Sequence, residues 1–334
     1  MTAPKLIIFG SFTLDNVIAP SGAMLPRNCG GNVVYAAAGA ALWTGGVGLV
    51  APVGADYPAD FLARLADRGL DLGGVRRFDA PHGMNVAFWY RPDGSRERRF
   101  PPDVVARIPP AERARYTDYT VHGPDHRYRV WFEGSPVPAD VPEAWIASAA
   151  GAHAAALPVQ RHIDMMRHLR ARRPDMALNV DSPWFDERTP DADFESPLFA
   201  AIDTLLPSEA DLAIAFPKRT PIDAARTLTE RGARRVVVKL GAAGSAIVAR
   251  DAAPVSVPAV PVAVVDPTGA GDAYCGGFLA GLVETGDALM AAAFGTVSAS
   301  FAVETVGPLA LLEADAATAR LRLAELLKRL GRIP

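Results

Sequence analysis

The strongest constraint on the fold is a repeated alternation between short apolar runs and segments with helical periodicity. The apolar runs fall at residues 6–9, 46–54, 177–180, 204–206 and 236–240, and each ends at or is followed by a glycine, proline or aspartate. Runs of this length suit buried strands, and the segments between them are long enough for helices. Strands that alternate with helices predict an α/β protein with a mainly parallel sheet covered on both faces.

One part of the chain departs from this pattern. In residues 85–90, Val86, Phe88 and Tyr90 alternate with Asn85, Ala87 and Trp89, as in a strand with two different faces, and Pro92-Asp93-Gly94 is a turn signal. This predicts a hairpin that leaves the main sheet, and 128–132 is a second strand candidate in the same excursion. Residues 83–135 are therefore expected to form a separate small structure beside the parallel sheet.

Composition excludes several classes of protein. The 334 residues carry 34 basic and 37 acidic side chains, a formal net charge of -3, so no basic surface for nucleic acid is expected. No apolar stretch is long enough to span a membrane, and the first residues lack the apolar region of a signal peptide. Cys29 and Cys275 are too few and too far apart for a disulfide scaffold or a zinc site. We expect one cytoplasmic enzyme domain over residues 1–334.

The segment 263–282, AVVDPTGAGDAYCGGFLAGL, concentrates the features that carry chemistry. An apolar strand is predicted to end at Asp266, Gly269-Ala270-Gly271 permits a tight turn, and Asp272 opens an apolar helix. The N-terminus of a helix presents unpaired N–H groups and the positive end of its dipole, which favours an anionic group. A carboxylate at that place can take a proton from a hydroxyl while the amides stabilise a phosphoryl. The alternative is that Asp272 only caps the helix.

This segment resembles the C-terminal signature of the ribokinase-like (pfkB) sugar and nucleoside kinases, Asp-x-Thr-Gly-Ala-Gly-Asp. The matching residues are Asp266, Thr268, Gly269, Ala270, Gly271 and Asp272. The resemblance implies a three-layer αβα sandwich with a small β-sheet lid, built here by excursions at about 12–28 and 83–135. It also implies in-line transfer of the γ-phosphoryl of Mg-ATP to an alcohol of a sugar or sugar-like acceptor, with Asp272 as general base and 269–271 as the anion site.

The same resemblance assigns residues to the acceptor. Asp15, after the first strand, matches the carboxylate that holds acceptor hydroxyls, although an aspartate there is also a common turn residue. Gly30, Gly31 and Asn32 resemble the N-terminal glycine pair of the family, and a plain loop is the alternative. Arg96, in Asp93-Gly94-Ser95-Arg96, resembles a lid residue that reaches the acceptor, and a solvated turn is equally compatible.

Other residues are assigned to the nucleotide and to cations. Lys239, Gly241 and Gly244 resemble the strand and glycine turn beside ATP, where glycine allows close approach of the backbone. Thr268 and Ser208 complete the expected nucleotide contacts. Where the family often has Asn-x-x-Glu, this chain has Ser208-Glu209-Ala210-Asp211, so Glu209 and Asp211 are the candidates for magnesium held through water. The resemblance also implies a monovalent cation, K⁺ in many relatives, near Asp266.

Departures from the family pattern leave the acceptor open. Tyr35 stands where many members have asparagine, and 151–157, GAHAAAL, lacks the acidic sugar ligand of ribokinases proper. A nucleoside is therefore an alternative to a sugar, and a catalytically silent ligand-binding or regulatory protein is an alternative of another class. An exposed edge of the lid sheet would invite pairing with a second copy, so a homodimer through the lid is a further expectation.

Overall fold

A computed structural model describes residues 3–18, 22–91, 96–97, 100–113, 116, 124–182 and 195–333, and it describes only the backbone at 25–27, 90, 96, 124, 195 and 196. The strands are β1 (Leu6–Phe9), β2 (Thr13–Ile18), β3 (Met24–Gly30), β4 (Val47–Gly54), β5 (Leu70–Phe78), β6 (Asn85–Tyr90), β7 (Arg96–Glu97), β8 (Gly151–Ala154), β9 (Ala177–Asp181), β10 (Thr204–Leu206), β11 (Arg235–Lys239), β12 (Ser245–Ala249) and β13 (Val255–Val257). The α-helices are α1 (Asn32–Ala41), α2 (Ala59–Asp67), α3 (Pro102–Arg107), α4 (Pro124–Glu133), α5 (Glu143–Ser148), α6 (Val159–Arg172), α7 (Glu195–Phe199), α8 (Glu209–Ala215), α9 (Pro221–Glu230), α10 (Ala270–Thr285), α11 (Ala288–Val303), α12 (Pro308–Leu312) and α13 (Ala316–Arg329).

The main sheet confirms the prediction of a mainly parallel α/β fold. Within the described residues it has nine strands in the order β13-β12-β11-β10-β9-β8-β1-β4-β5. Neighbours from β11 to β5 pair in parallel, and β12 and β13 form an antiparallel hairpin at one edge. Two apolar cores, one on each face, make this a three-layer αβα sandwich.

Alternate residues of the central strands point into different cores, which explains why the strands are continuously apolar. In β1, Ile8 packs into the core under α1, α10 and α11, whereas Ile7 and Phe9 pack into the core under α6 and α9. All three side chains are fully buried. The prediction that this run is an enclosed parallel strand is therefore confirmed.

Helices α1 and α10 pack backbone against backbone, so both are rich in small residues. A Cβ on Gly276 of α10 would lie 1.8 Å from the carbonyl oxygen of Ala36 in α1. A Cβ on Gly39 of α1 would lie 2.2 Å from the carbonyl oxygen of Ala273 in α10. Only glycine fits at either position, so the backbones of the two helices lie in direct contact.

A four-stranded sheet stands apart from the main one, in the order β3-β2-β6-β7. Strand β2 pairs with β3 in antiparallel and with β6 in parallel fashion, and β6 pairs with β7 as the predicted hairpin. The predicted turn at 92–94 lies outside the described residues.

The strand expected at 128–132 is wrong, because these residues belong to helix α4. Helical spacing stacks the ring of Tyr128 on that of Phe132, four residues later, with ring centroids 5.6 Å apart. The guanidinium of Arg161 lies 3.6 Å from the centre of the Phe132 ring. Aromatic residues with high strand propensity are therefore found in a helix, with one stacking contact inside the helix and one to the distant Arg161. In the part of the chain that the structure describes, no helix combines the length and apolarity needed to cross a membrane.

Candidate active site

The candidate site lies where the parallel strands of the main sheet end. Asp181 is the last residue of β9, Ser208 follows β10 within two residues, and Gly241 follows β11. Ser208 also bridges to Lys239 in parallel register. In open α/β sheets the carboxyl edge is where ligands bind, because loops from adjacent strands converge there.

The turn before α10 requires glycine for two reasons. Gly269 adopts a left-handed conformation, with φ 76° and ψ 0°, which glycine adopts without strain. A Cβ there would also lie 2.2 Å from the ring of Tyr35. Helix α10 then begins at Ala270, which places Asp272 in its first turn, where helical amides have no acceptor within the helix. The predicted turn and helix start are thus present.

The strand expected to end at Asp266 is absent. Strand β13 ends at Val257, and the chain between it and the turn is irregular. Pro258 and Pro261 have no N–H to donate to a ladder, which disfavours a strand here. Instead, the amides of Val265 and Asp266 both donate to the carbonyl of Val303, at 2.7 and 3.1 Å.

A buried ion pair lies beneath the turn. The Lys239 Nζ donates to Asp181 Oδ1 at 2.8 Å, and these side chains are only 11% and 9% exposed. The Nζ is also 3.4 Å from the Sγ of Cys275. A Cβ on Gly271 would lie 3.5 Å from this Nζ, so the ammonium group lies against the first turn of α10.

The charge of Lys239 is secured by its surroundings. Burial by itself lowers the pKa of Lys239, but the Asp181 carboxylate more than offsets this, and the net pKa is raised above its ordinary value. The Asp272 carboxylate adds to the rise. Burial raises the pKa of the Cys275 thiol well above its ordinary value, so that group stays neutral. The turn therefore has a permanent cation beneath it.

The segment after β11 provides a glycine-lined surface. Gly241 and Gly244 have φ of 54° and 93°, and a Cβ on Gly244 would lie 2.1 Å from the Val257 carbonyl oxygen. A Cβ on Gly241 would lie 3.6 Å from Oε1 of Glu209. This brings the exposed carboxylate of Glu209 beside the glycine turn.

Ser208 and Asp211 cap helix α8. The Ser208 hydroxyl donates to Asp211 Oδ2 at 2.6 Å and accepts from the Asp211 amide at 3.2 Å, and the Ser208 amide also donates to Oδ2. The described residues include no group of three or more His, Cys, Asp or Glu side chains able to hold a metal by themselves. Magnesium commonly binds through only one or two carboxylates plus phosphate and water, so Glu209 and Asp211 fit that chemistry.

Gly31 and Asn32, which the sequence assigned to the acceptor, hold the loop after β1. Gly31 has φ 118°, and a Cβ there would lie 2.2 Å from the Ser11 carbonyl oxygen. Asn32 Oδ1 accepts from the Ser11 amide at 2.8 Å, and its Nδ2 donates to the Ala156 carbonyl at 2.9 Å. The Asn32 amide thereby ties the loop after β1 to the end of β8.

A cleft of about 1040 Å³ connects the small sheet with the α10 turn. It brings Asp15, Gly30 and Tyr35 together with Asp266 and Thr268, and Phe61, Phe88 and exposed valines add apolar lining. The Asp15 Oδ2 lies 3.0 Å from the position of a Cβ on Gly30, so a side chain at that position would displace the carboxylate. Asn32 and Asp272 are not among the described lining residues.

Sequence reasoning missed several residues around these groups. Asp181 could have been found as an aspartate at the end of a parallel strand. Tyr57, whose hydroxyl donates to the Thr13 carbonyl at 3.4 Å, carried no motif signal. Burial, then Cys29 and Asp15, raise the pKa of Tyr57 well above its ordinary value, so Tyr57 is a neutral hydroxyl close to the Asp15 carboxylate. Of Arg96, only the backbone in β7 is described.

Comparisons with known proteins identify the family of this chain. The sequence model of the pfkB family carbohydrate kinases matches residues 131–315, more than half of the chain. The chain therefore belongs to the pfkB family, and the family expected from the sequence is confirmed.

Individual relatives extend the likeness over nearly all of the chain. A cytidine kinase from Thermococcus kodakarensis is 25% identical over 279 residues, covering 83% of this chain and 87% of the relative. Ribokinase from Arabidopsis thaliana, solved with ribose and ATP, superposes with a TM-score of 0.68 at 19% identity, covering 96% of this chain and 99% of that one. A nucleoside kinase from Burkholderia thailandensis, solved with inosine, superposes with a TM-score of 0.66 at 17% identity, covering 98% and 99%. The structural likenesses confirm the fold.

Proposed function

We propose that this protein is an ATP-dependent phosphotransferase that moves the γ-phosphoryl of Mg-ATP to an alcohol group of a sugar or sugar-like acceptor. One arrangement carries the proposal. Asp272 lies in the first turn of α10, directly after the left-handed turn at Gly269 and next to the Lys239 cation. A base, a helix N-terminus and a buried cation at the carboxyl edge of the sheet suit phosphoryl transfer, which depends on positioning and charge stabilisation.

The protein groups act as follows. Asp272 accepts the proton of the acceptor hydroxyl as that oxygen attacks phosphorus. The backbone amides at Gly269, Ala270 and Gly271 hold the equatorial oxygens of the transferring group, and the Lys239 ammonium offsets part of their charge. No covalent enzyme intermediate is required, because positioning and charge stabilisation account for most of the catalysis.

The nucleotide is proposed to lie along the surface bordered by Lys239, Gly241, Gly244, Ser208 and Thr268. Mg-ATP supplies the phosphoryl group and a cation that offsets its charge. Glu209 is exposed beside Gly241 and is placed to hold magnesium-bound water, with Asp211 next to it through its cap. We assign Asp266 to a monovalent cation, and activity in KCl against NaCl at equal ionic strength tests this.

The acceptor is proposed to bind in the cleft, with Asp15 accepting hydrogen bonds from its hydroxyls. Gly30 gives the Asp15 carboxylate room, and Gly31 and Asn32 hold the adjoining loop. Arg96, in β7 of the small sheet, is also assigned to the acceptor. A nucleoside is the second candidate, because aromatic side chains line the cleft at Tyr35, Phe61 and Phe88. The names of the cytidine kinase and of the inosine-bound structure point the same way.

An acceptor panel with ATP tests the proposal. Ribose, fructose, 2-keto-3-deoxygluconate, adenosine, inosine and cytidine are each incubated with Mg-ATP, and the phosphorylated product is identified by mass spectrometry. Acceptor-dependent ADP release with product formation supports a kinase, and the preferred acceptor separates sugar from nucleoside. Tight acceptor binding without product, for every compound bound, would instead favour a catalytically silent ligand-binding protein.

A further inference from the structure

We infer that Asp181 is a positioning residue for phosphoryl transfer, holding the Lys239 ammonium beneath the turn at 269–271. The inference deepens the proposed function and rests on it. Asp181 ends β9 and Lys239 ends β11, so their contact crosses the end of β10 between them. The sequence shows no spacing that would pair these two residues, which are 58 positions apart.

The geometry fixes the ammonium in one place. A lysine at the edge of a sheet can extend its flexible stem into water, but here the Nζ is held at 2.8 Å by Asp181. The missing side chain of Gly271 leaves room for it, since a Cβ there would contact Nζ, Cε and Cδ of Lys239 at 3.5 to 3.8 Å. The cation is thereby aimed at the first turn of α10, where the transferring phosphoryl is proposed to bind.

The charges around Lys239 explain why a second carboxylate is needed. The titratable groups that interact with the ammonium are Asp181 of β9, His153 of β8, and Asp272, Tyr274 and Cys275 of α10. Tyr274, Cys275 and His153 are buried and neutral, because burial raises the pKa of Tyr274 and Cys275 and lowers that of His153 to about 3. Without Asp181, the remaining counter-ion would be Asp272, the proposed base. Asp181 therefore supplies the carboxylate that pairs directly with the buried ammonium.

Lysine NMR tests the pair without any nucleotide. The chain has four lysines, Lys5, Lys218, Lys239 and Lys328, and all but Lys239 are exposed, so ¹³Cε labelling gives four signals. Lys239→Arg assigns the signal of Lys239. We expect Lys239 to stay protonated beyond the pH at which the others titrate, and to titrate at lower pH than the others in Asp181→Asn. An unchanged titration in that variant overturns the inference.

Kinetics provide the functional readout. We expect Asp181→Asn to lower kcat about 100-fold at neutral pH, at the lower end of the range for losing one oxyanion donor. The loss should deepen as pH rises, since an unpaired buried lysine gives up its proton, while the acceptor KM changes less than about twofold. Lys239→Arg should retain more activity than Lys239→Met. A uniform loss at every pH would indicate a merely structural role.

Two further variants separate loss of the Asp181–Lys239 pair from a general loss of stability. Asp203→Asn is the matched control, because it breaks another partly buried pair, with Arg170 at 2.9 Å, at the opposite end of β10. It should lower stability and leave the pH profile unchanged. The double variant Asp181→Leu, Lys239→Met replaces the pair with apolar groups and is expected to fold.

In calorimetry the double variant should bind a non-hydrolysable ATP analogue no more tightly than ADP, unlike the wild type. Near-normal turnover of this variant overturns the inference. A wild type that phosphorylates no acceptor refutes the proposed function instead, and the NMR titration still reports on Asp181 and Lys239.

Discussion

Helix α10 with its preceding turn and the small sheet with its cleft are built in opposite ways. The α10 region is made of backbone and small residues, and glycines at 39, 269 and 276 leave no room for a Cβ. The small sheet presents side chains of varied chemistry, including Asp15, Phe88 and, from α2, Phe61. The α10 region holds backbone amides in place, whereas the small sheet and its cleft present side chains that substitution can change without moving the backbone.

This difference suggests that the α10 region serves the phosphoryl-transfer step and that the cleft determines which acceptor binds. Amides and a helix N-terminus treat any phosphoryl group alike, so a rigid backbone suits the step that all acceptors share. Specificity requires side chains that match one molecule and leave others unpaired. Substitutions in the α10 region should therefore affect turnover and folding, and those around the cleft should affect acceptor affinity.

The largest effect should come from the proposed base. Asp272→Asn keeps the size of the side chain but cannot accept the proton, so turnover should fall by about 10²–10⁴. Nucleotide affinity and the melting temperature should remain near those of the wild type. Asp287→Asn, at the N-terminus of α11, is the matched control, because asparagine also caps helices well. Near-normal turnover of Asp272→Asn would remove the assignment.

The second effect tests the rigidity of the α10 region. Gly276→Ala forces a Cβ to within 1.8 Å of the Ala36 carbonyl oxygen, so α1 and α10 must separate. Overpacking of this kind costs about 1–3 kcal/mol, which denaturant unfolding measures. Gly45→Ala is the control, since nothing lies within 4 Å of a Cβ there. Equal stability of the two variants would show that the contact is not tight.

The third effect tests the acceptor side. Asp15→Ala removes a carboxylate whose charged hydrogen bonds contribute about 1.5–3 kcal/mol each, so the acceptor KM should rise at least about tenfold. The KM for ATP should move much less, as steady-state kinetics with each substrate varied in turn would show. Asp60→Ala, also on the cleft, is the control. If ATP affinity collapsed while acceptor affinity stayed normal, the acceptor and nucleotide sides of the site would have been assigned the wrong way round.

The fourth effect is a decrease in the free energy of unfolding at acidic pH, caused by the buried His153 in the main sheet. Burial, with smaller contributions from Lys239 and His162, lowers the pKa of His153 from 6.5 to about 3. Between these values the unfolded chain binds more protons than the folded protein, so His153 costs stability as pH falls through this window, by up to about 1.4 kcal/mol per pH unit. Unfolding free energies from pH 6 to 4 should fall less steeply in His153→Gln. A slope in His153→Gln as steep as that of the wild type would contradict the assignment.

The smallest effect should be in the small sheet, proposed here to act as a lid formed by excursions at about 12–28 and 83–135 of a single domain. Acceptor binding should slow hydrogen exchange of the amides in β2, β3 and β6, whereas those of α10 should change little because they are already packed. Sedimentation tests whether a second copy pairs with the exposed edge. Unchanged exchange in all three strands would argue against a lid.

Much of the fold and the chemistry follows from local sequence. Continuous apolar runs such as 6–9 predicted buried parallel strands because both faces of such a sheet are covered. The glycine turn and helix start at 269–272 could be located because only glycine adopts those conformations easily. The roles of Asp272, Asp15 and the nucleotide-side residues stay predictions until kinetics test them.

The local sequence pattern predicted the wrong secondary structure in two segments that make contacts with distant parts of the chain. Residues 128–132 have strand propensity, yet the stacking of Phe132 between Tyr128 and Arg161 accompanies a helix. The strand expected before Asp266 is replaced by irregular chain tied to Val303. In both cases the deciding partner is distant in sequence, and its position is set only when the sheet assembles.

The sequence by itself determined the order of elements, the glycine turn and the carboxylate at the start of α10, because each depends on neighbours within a few residues. Only the tertiary structure decided that Tyr35 covers Gly269 and that Asp181 holds Lys239 beneath Gly271. These contacts join strands and helices that are far apart in the chain. They depend on strand order, which brings the ends of β9 and β11 to the same edge of the sheet.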